Sequence, residues 1–243
     1  MRIKKGFTLS ETMIAMGIVG VIVAITVPMV VNHFQKQTKV LMLEKTYKEL
    51  SDKLELFKNE RPYNSIPTFT KAEIYSFLYN EFKRKNTTDV FSIFTKGFAS
   101  SYKSLNGTTG SYAQEVGRFK LFWGITTKSG SSLYIVPTEE EIEYESECTD
   151  SRVSSCSIKP KNDIKSVKLA DVYLDVNGKK GPNIGGRDMF KMGIYGDYTV
   201  RPVAIVEADD EGKVKDNLTI CRESPLGDGC FALILNDDWK MNY

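Results

Sequence analysis

Residues 7–31, FTLSETMIAMGIVGVIVAITVPMVV, are 25 residues long and carry a single charge, Glu11, the fifth residue of the run. As an α-helix the run would measure about 37 Å, at roughly 1.5 Å per residue. The hydrocarbon core of a bilayer is about 30 Å thick, so the run is long enough to cross it. A secretory signal peptide also joins a basic start to an apolar run, but that run is shorter, about 7–15 residues, and ends at a small-residue cleavage site. Here the run continues into NHFQKQTK, which has no such site. Arg2, Lys4 and Lys5 precede the span. The positive-inside rule therefore places the N-terminus in the cytoplasm and exports the remaining chain.

The lone carboxylate needs an explanation. A charge at the bilayer centre costs at least about 2.5–3.5 kcal/mol, and the run contains no basic residue to offset it. Thr8-x-x-Glu11 fits a capping box, in which the carboxylate serves its own helix start. A second partner arises if the chain is cut between Gly6 and Phe7, because Phe7 then carries a free amine. An amine and a carboxylate about 4 Å apart attract by roughly 4 kcal/mol at an effective dielectric of 20.

KKGFTLSETMIAMGIVGVIVAI resembles the leader and N-terminal helix of the type IV pilin family, which includes the pseudopilins of type II secretion. The motif is a basic leader, Gly, Phe, Thr-Leu-x-Glu and an apolar run. The resemblance covers residues 1 to about 60. It implies cleavage by prepilin peptidase between Gly6 and Phe7 and N-methylation of Phe7. It also implies pairing of Glu11 with the amine of a neighbouring subunit, and helix flexibility at Gly17, Gly20 and Pro28. Glycine lowers helix propensity and proline removes a helical hydrogen bond; close helix packing in lipid is the other reading of the glycines.

The implied divisions are a leader (1–6), a transmembrane or fibre-core half-helix (7–31), an amphipathic half-helix (32–60) and an exported globular domain (61–243). The implied partners are prepilin peptidase, other pilin or pseudopilin subunits, the pilus or secretion assembly machinery, and membrane lipid. The implied location is the cytoplasmic (inner) membrane, single-pass, and then a cell-surface or periplasmic fibre. A minor-pilin binding module, either a tip adhesin or a DNA-uptake pilin, would use the same anchor.

Beyond the span, Val40, Leu43, Tyr47, Leu50, Leu54 and Phe57 recur at spacings of three and four, which predicts an amphipathic helix ended by Arg61-Pro62. TKAEIYSFLYNEFKR (70–84) predicts a second helix opened by a Thr70/Glu73 capping box. RFKLFWGITT and SSLYIVP read as strands paired across KSG. SVKLADVYLDV, DMFKMGIY, YTVRPVAIVEA and CFALILN read as further strands, and PTEEEIEYESE as a capped turn or solvated loop. One long helix, an insertion and an antiparallel sheet make an α+β fold. With the family resemblance, this is a pilin-like fold whose long N-terminal helix packs on a C-terminal antiparallel sheet.

Removing the three basic leader residues leaves 30 basic against 31 acidic residues, so charge gives no general case for nucleic-acid binding. The basic-aromatic stretches RFKLFW and FKRK are too short to establish it. His33 is the only histidine, at the end of the span, which leaves little scope for a catalytic triad, and no enzyme motif is present. The expectation is a structural subunit rather than an enzyme.

Four cysteines behind an export segment predict disulfides, with free buried thiols as the alternative; of the three possible connectivities, short loops favour the local pairs Cys148–Cys156 and Cys221–Cys230. Family resemblance places Cys221–Cys230 where many pilins pin a C-terminal loop. Finally, DVYLDVNGKKGPNIGGRDMF is rich in turn formers. Asp175, Asn177, Asn183 and Asp188 supply oxygens of the kind calcium prefers, although the spacing is not that of an EF-hand. A purely structural turn and a calcium loop both fit. No other cofactor is expected.

Overall fold

The computed structural model describes residues 8–62, 67–82, 90–91, 96–109, 123–138, 144–147, 157–160, 163–203 and 213–243. It divides into two compact units, Met1–Thr38 and Lys39–Tyr243. Helix α1 (Leu9–Asn59) contributes residues to both.

In the first unit the apolar side chains of α1, among them Met13, Ile18, Val21, Ile25 and Met29, are exposed. The helix is long and apolar enough to cross a membrane by length and composition. Thr12 and Thr26 donate their hydroxyls to the carbonyls of Leu9 and Ile22 at 2.8 and 2.9 Å. Polar groups in lipid must be satisfied internally, and these two are.

In the second unit α1 becomes amphipathic, burying Val40, Leu43, Thr46, Leu50 and Leu54. Four of the six residues expected on the stripe, Val40, Leu43, Leu50 and Leu54, are buried, and Tyr47 and Phe57 pack against the core from its margin. Thr46 was not expected there. Its hydroxyl donates to Met42 O at 2.9 Å and approaches Ser131 Oγ at 3.3 Å, so burial leaves it satisfied.

Among the described residues, six strands form an antiparallel sheet that receives this stripe. It contains β1 (Val90–Phe91), β2 (Trp123–Thr126), β3 (Ser132–Pro137), β6 (Lys168–Asp175), β7 (Met189–Tyr195) and β8 (Val200–Arg201), in that spatial order. The β4 (Tyr144–Glu147) and β5 (Ser157–Pro160) strands form a separate pair inserted between β3 and β6. Register places Leu133 opposite Leu174 and Tyr134 opposite Tyr173. The period of two then sends Leu133, Ile135, Val172, Leu174 and Phe190 into the core shared with α1. Tyr134, Val136 and Tyr173 lie in a second core with Phe98 and Tyr102. Both faces are covered, so β3 reads as a continuous apolar run rather than an alternating one.

Arg61 joins the end of α1 to helix α2 (Lys71–Glu81). Its guanidinium donates to Thr68 O at 3.1 Å and Thr68 Oγ1 at 2.9 Å, and pairs with Glu73 at 2.9 Å. The Thr70/Glu73 capping box is present: Thr70 N donates to Glu73 Oε2 at 2.7 Å and Glu73 N to Thr70 Oγ1 at 3.3 Å. The β2–β3 hairpin closes across 128–130 as expected, with Thr126 opposite Ser132.

Three readings are corrected. CFALILN is not a strand but helix α4 (Cys230–Asn236), preceded by helix α3 (Asn217–Glu223). A seven-residue apolar run fits either state. Here Gly229 at φ 72° turns the chain into the helix, and Cys230, Phe231 and Ile234 share its buried side. YESE, expected in a turn or loop, is strand β4. Among the described residues of YTVRPVAIVEA, Tyr198 lies in a turn and pairing runs through Val200–Arg201. Pro202 follows and has no N–H to extend the ladder. Residues 204–212 lie outside the described residues.

Candidate functional site

Glu11 sits one turn into α1. Thr8 N donates to its Oε2 at 2.8 Å, Thr8 Oγ1 donates to the same oxygen at 2.8 Å, and Glu11 N donates back to Thr8 Oγ1 at 3.3 Å. This is a reciprocal capping box, and it orders the carboxylate at the exposed start of the helix. Gly6 and Phe7 lie outside the described residues. A Cβ at Gly17 or Gly20 would meet no atom within 4 Å, so nothing in this chain requires glycine there. The helix runs through Pro28 without interruption. His33 lies within hydrogen-bonding distance of Gln37, 3.0 Å between His33 Nε2 and Gln37 Nε2.

The C-terminal cysteines are joined as expected. Cys221 of α3 and Cys230 of α4 form a disulfide with Cα atoms 4.7 Å apart. The spacing was legible, but not that the bridge links two helices rather than pinning an irregular loop. Cys148 and Cys156 lie outside the described residues.

The glycine-rich stretch between β6 and β7 is the seat for this bridge. A Cβ on Gly186, at φ 78°, would lie 2.5 Å from Cys230 Sγ and 3.2 Å from Cys221 Sγ. A Cβ on Gly185 would lie 2.3 Å from Ser224 O. The α3–α4 connection can approach this closely only because both positions lack side chains. Tyr243 adds a clamp, donating its hydroxyl to Gly186 O at 2.8 Å.

Two fully buried carboxylates flank the same stretch. Asp175, the last residue of β6, accepts from the Tyr102 hydroxyl and from Asn177 N at 3.1 Å. Burial pushes its carboxyl up to about 7; Tyr102 and the Asn177 N–H draw it back, and the charge on Asp188 adds to the rise. Asp188 accepts from Ile184 N at 3.0 Å and forms an ion pair with Lys39 of α1. Of the four oxygen-bearing residues considered for calcium, Asp188 thus faces an ammonium group and Asp175 a phenol, while Asn177 donates Nδ2 to Lys180 O at 2.7 Å. Among the described residues, no group of three or more His, Cys, Asp or Glu side chains is placed to hold a metal.

Lys39 and Tyr102 were not singled out from sequence. Lys39 carried a signal: it stands four residues before Leu43, on the apolar stripe. A lysine there implies a buried acid partner. Tyr102 carried none, because it comes from a Ser/Gly/Thr-rich segment with no periodic pattern.

Residues 1–27 match the family model described as the prokaryotic N-terminal methylation motif. No curated protein and no solved structure matches the chain. The motif points to a structural subunit rather than an enzyme, and implies processing by prepilin peptidase and assembly with other pilin subunits. With one long apolar N-terminal helix followed by an antiparallel sheet, the chain has a pilin-like α+β architecture and carries the methylation motif characteristic of type IV pilins and pseudopilins.

Proposed function

We propose that the protein is a structural subunit of a type IV pilus or of a type II secretion pseudopilus, assembled through the N-terminal half of α1. Prepilin peptidase removes residues 1–6 and methylates Phe7. The subunit then waits in the cytoplasmic membrane, spanning it with residues 7–31 and exporting the domain from residue 61 onward. Assembly machinery moves it into a fibre, where the apolar helices exchange lipid contacts for one another.

The observation that carries this reading is the exposed apolar face of α1 with a single carboxylate, Glu11, ordered at its start. In the precursor the carboxylate is occupied by Thr8. After cleavage, the amine of an adjoining subunit competes for it, and a full charge outbids two neutral donors at low dielectric. Gly17, Gly20 and Pro28 let the helix yield during packing.

Glu11→Ala tests this. Processing at Phe7 should continue while recovery of the subunit in sheared fibres or crosslinked pseudopili falls at least tenfold. Normal incorporation of the alanine variant would remove Glu11 from the assembly step.

A second reading, a minor-pilin binding module such as a tip adhesin or DNA-uptake pilin, draws on one surface feature. Tyr75 and Tyr79 of α2 are exposed and stacked at 5.8 Å, and Trp123 meets Tyr75 edge-on at 4.8 Å. Alanine at Tyr75 and Tyr79 would separate the two readings, since it should spare assembly and abolish binding only in the second.

A further inference from the structure

The buried pair Lys39–Asp188 serves no purpose in the assembly scheme. The Asp188 side chain is 0% exposed and that of Lys39 is 13% exposed. Asp188 Oδ2 takes the Ile184 N–H, while Oδ1 has no hydrogen-bond partner and meets Lys39 Nζ in an ion pair. A second buried carboxyl, Asp175, lies alongside. It stands opposite Met189 in the β6–β7 ladder, and Val176 N, the next residue, donates to Asp188 O at 2.8 Å. Phe98, Tyr102 and Met189 fill the adjoining core and keep water out.

A buried ion pair contributes little net stability, because desolvation of both charges offsets their attraction. The same arrangement has another chemical use. A primary amine is held against a carboxylate, largely out of water, beside a second buried carboxyl able to carry a proton. We propose that Lys39 and Asp188 condense into an intramolecular isopeptide bond that ties α1 covalently to the β6–β7 connection.

The atoms balance without an oxidant or co-reactant. Proton transfer within the pair yields a neutral amine and a neutral carboxylic acid. The Nζ lone pair attacks Asp188 Cγ, forming the N–C bond. One carboxyl oxygen then leaves with two protons from the original ammonium, as water, and the C–O bond breaks. Asp175 is a positioning residue. It lies next to the pair through the Val176 N to Asp188 O bond, burial favours its protonated form, and in that form it adds no second negative charge beside Asp188 as charge gathers there; it is regenerated unchanged. Holding the reactants together supplies the driving proximity, with effective molarities that reach about 10⁵–10⁸ M in well-oriented intramolecular reactions.

Mass spectrometry of the full chain, purified from membranes in detergent and reduced, tests the bond. The expected intact mass lies about 18 Da below that of the linear polypeptide, after any leader removal and methylation are counted, because one water is lost. Trypsin should release a branched peptide joining residues 37–45 to 188–191, with no cut after Lys39. Lys39→Arg keeps the charge but should abolish the deficit. Asp188→Asn should lose ammonia instead, about 17 Da. Asp175→Asn should lower the cross-linked fraction at least tenfold, and Asp175→Glu should recover it. A native chain with no water deficit, and quantitative cleavage after Lys39, would overturn the proposal and leave a plain ion pair.

Discussion

Replacing Gly186 with alanine should damage the unit Lys39–Tyr243 more than replacing any glycine that merely occupies a turn. Two costs combine at this position. The backbone sits at φ 78°, where an L side chain costs about 1–2 kcal/mol. The new methyl would also lie 2.5 Å from Cys230 Sγ, 3.2 Å from Cys221 Sγ and 3.3 Å from Leu105 Cδ1. The sulfurs are fixed by their bond and by two helices, so they cannot swing aside as a flexible side chain would. Overpacking of that kind costs about 1–3 kcal/mol, which brings the sum to about 2–5 kcal/mol.

Gly107 and Gly130 separate the two contributions. Both have positive φ, 89° and 94°, and a Cβ on either would meet nothing within 4 Å. Alanine at these positions should cost only the conformational part, about 1–2 kcal/mol. Urea unfolding of the full chain in detergent, followed by the near-ultraviolet signal of Trp123 and Trp239, measures all three variants. If Gly186→Ala unfolds at the same urea concentration as Gly107→Ala and Gly130→Ala, the seat for the disulfide is looser than described and the reasoning fails.

Removing the disulfide itself, with Cys221 and Cys230 both changed to serine, should lower stability by about 2–3 kcal/mol, the expectation for a closed loop of about ten residues; an unchanged unfolding midpoint would show that helix packing alone holds α3 to α4. Asp175 makes stability depend on pH. Its folded carboxyl is raised to about 7 by burial, while the unfolded one stays near 3.9. Below both values the group contributes no difference. Between them the unfolded chain releases a proton that the folded one retains, so stability falls as pH rises, by about 4 kcal/mol in total, and levels off above 7. Asp175→Asn should flatten that decline in urea titrations run from pH 4.5 to 8, and parallel curves for the two proteins would contradict the shift.

Periodicity and capping chemistry made the elements nearest the N-terminus legible. The stripe from Val40 to Leu54 and the Thr70/Glu73 box each repeat a local rule over several residues, and both appear in the structure. The β2–β3 hairpin was equally clear, because KSG separates two apolar runs. CFALILN failed for a reason of scale: seven residues hold too few periods to distinguish 2 from 3.6. Its helical state depends on Gly229 and on packing against distant strands.

The function of GPNIGGRD was hidden for a similar reason. Turn formers can mark a loop, a metal site or a close approach of backbones, and only the tertiary partners Cys221, Cys230 and Tyr243 reveal which role Gly186 fills. By contrast, the start of the chain could be read at once, since a lone acid in an apolar run is a conflict that few proteins tolerate.

Peptide mapping of the N-terminus from protein isolated out of membranes or fibres tests the central claim most directly. A first residue of Phe7, carrying one added methyl group on its nitrogen, is the result expected. Mature protein that begins at Met1, or at any position other than Phe7, would leave Glu11 without the amine on which the assembly scheme depends.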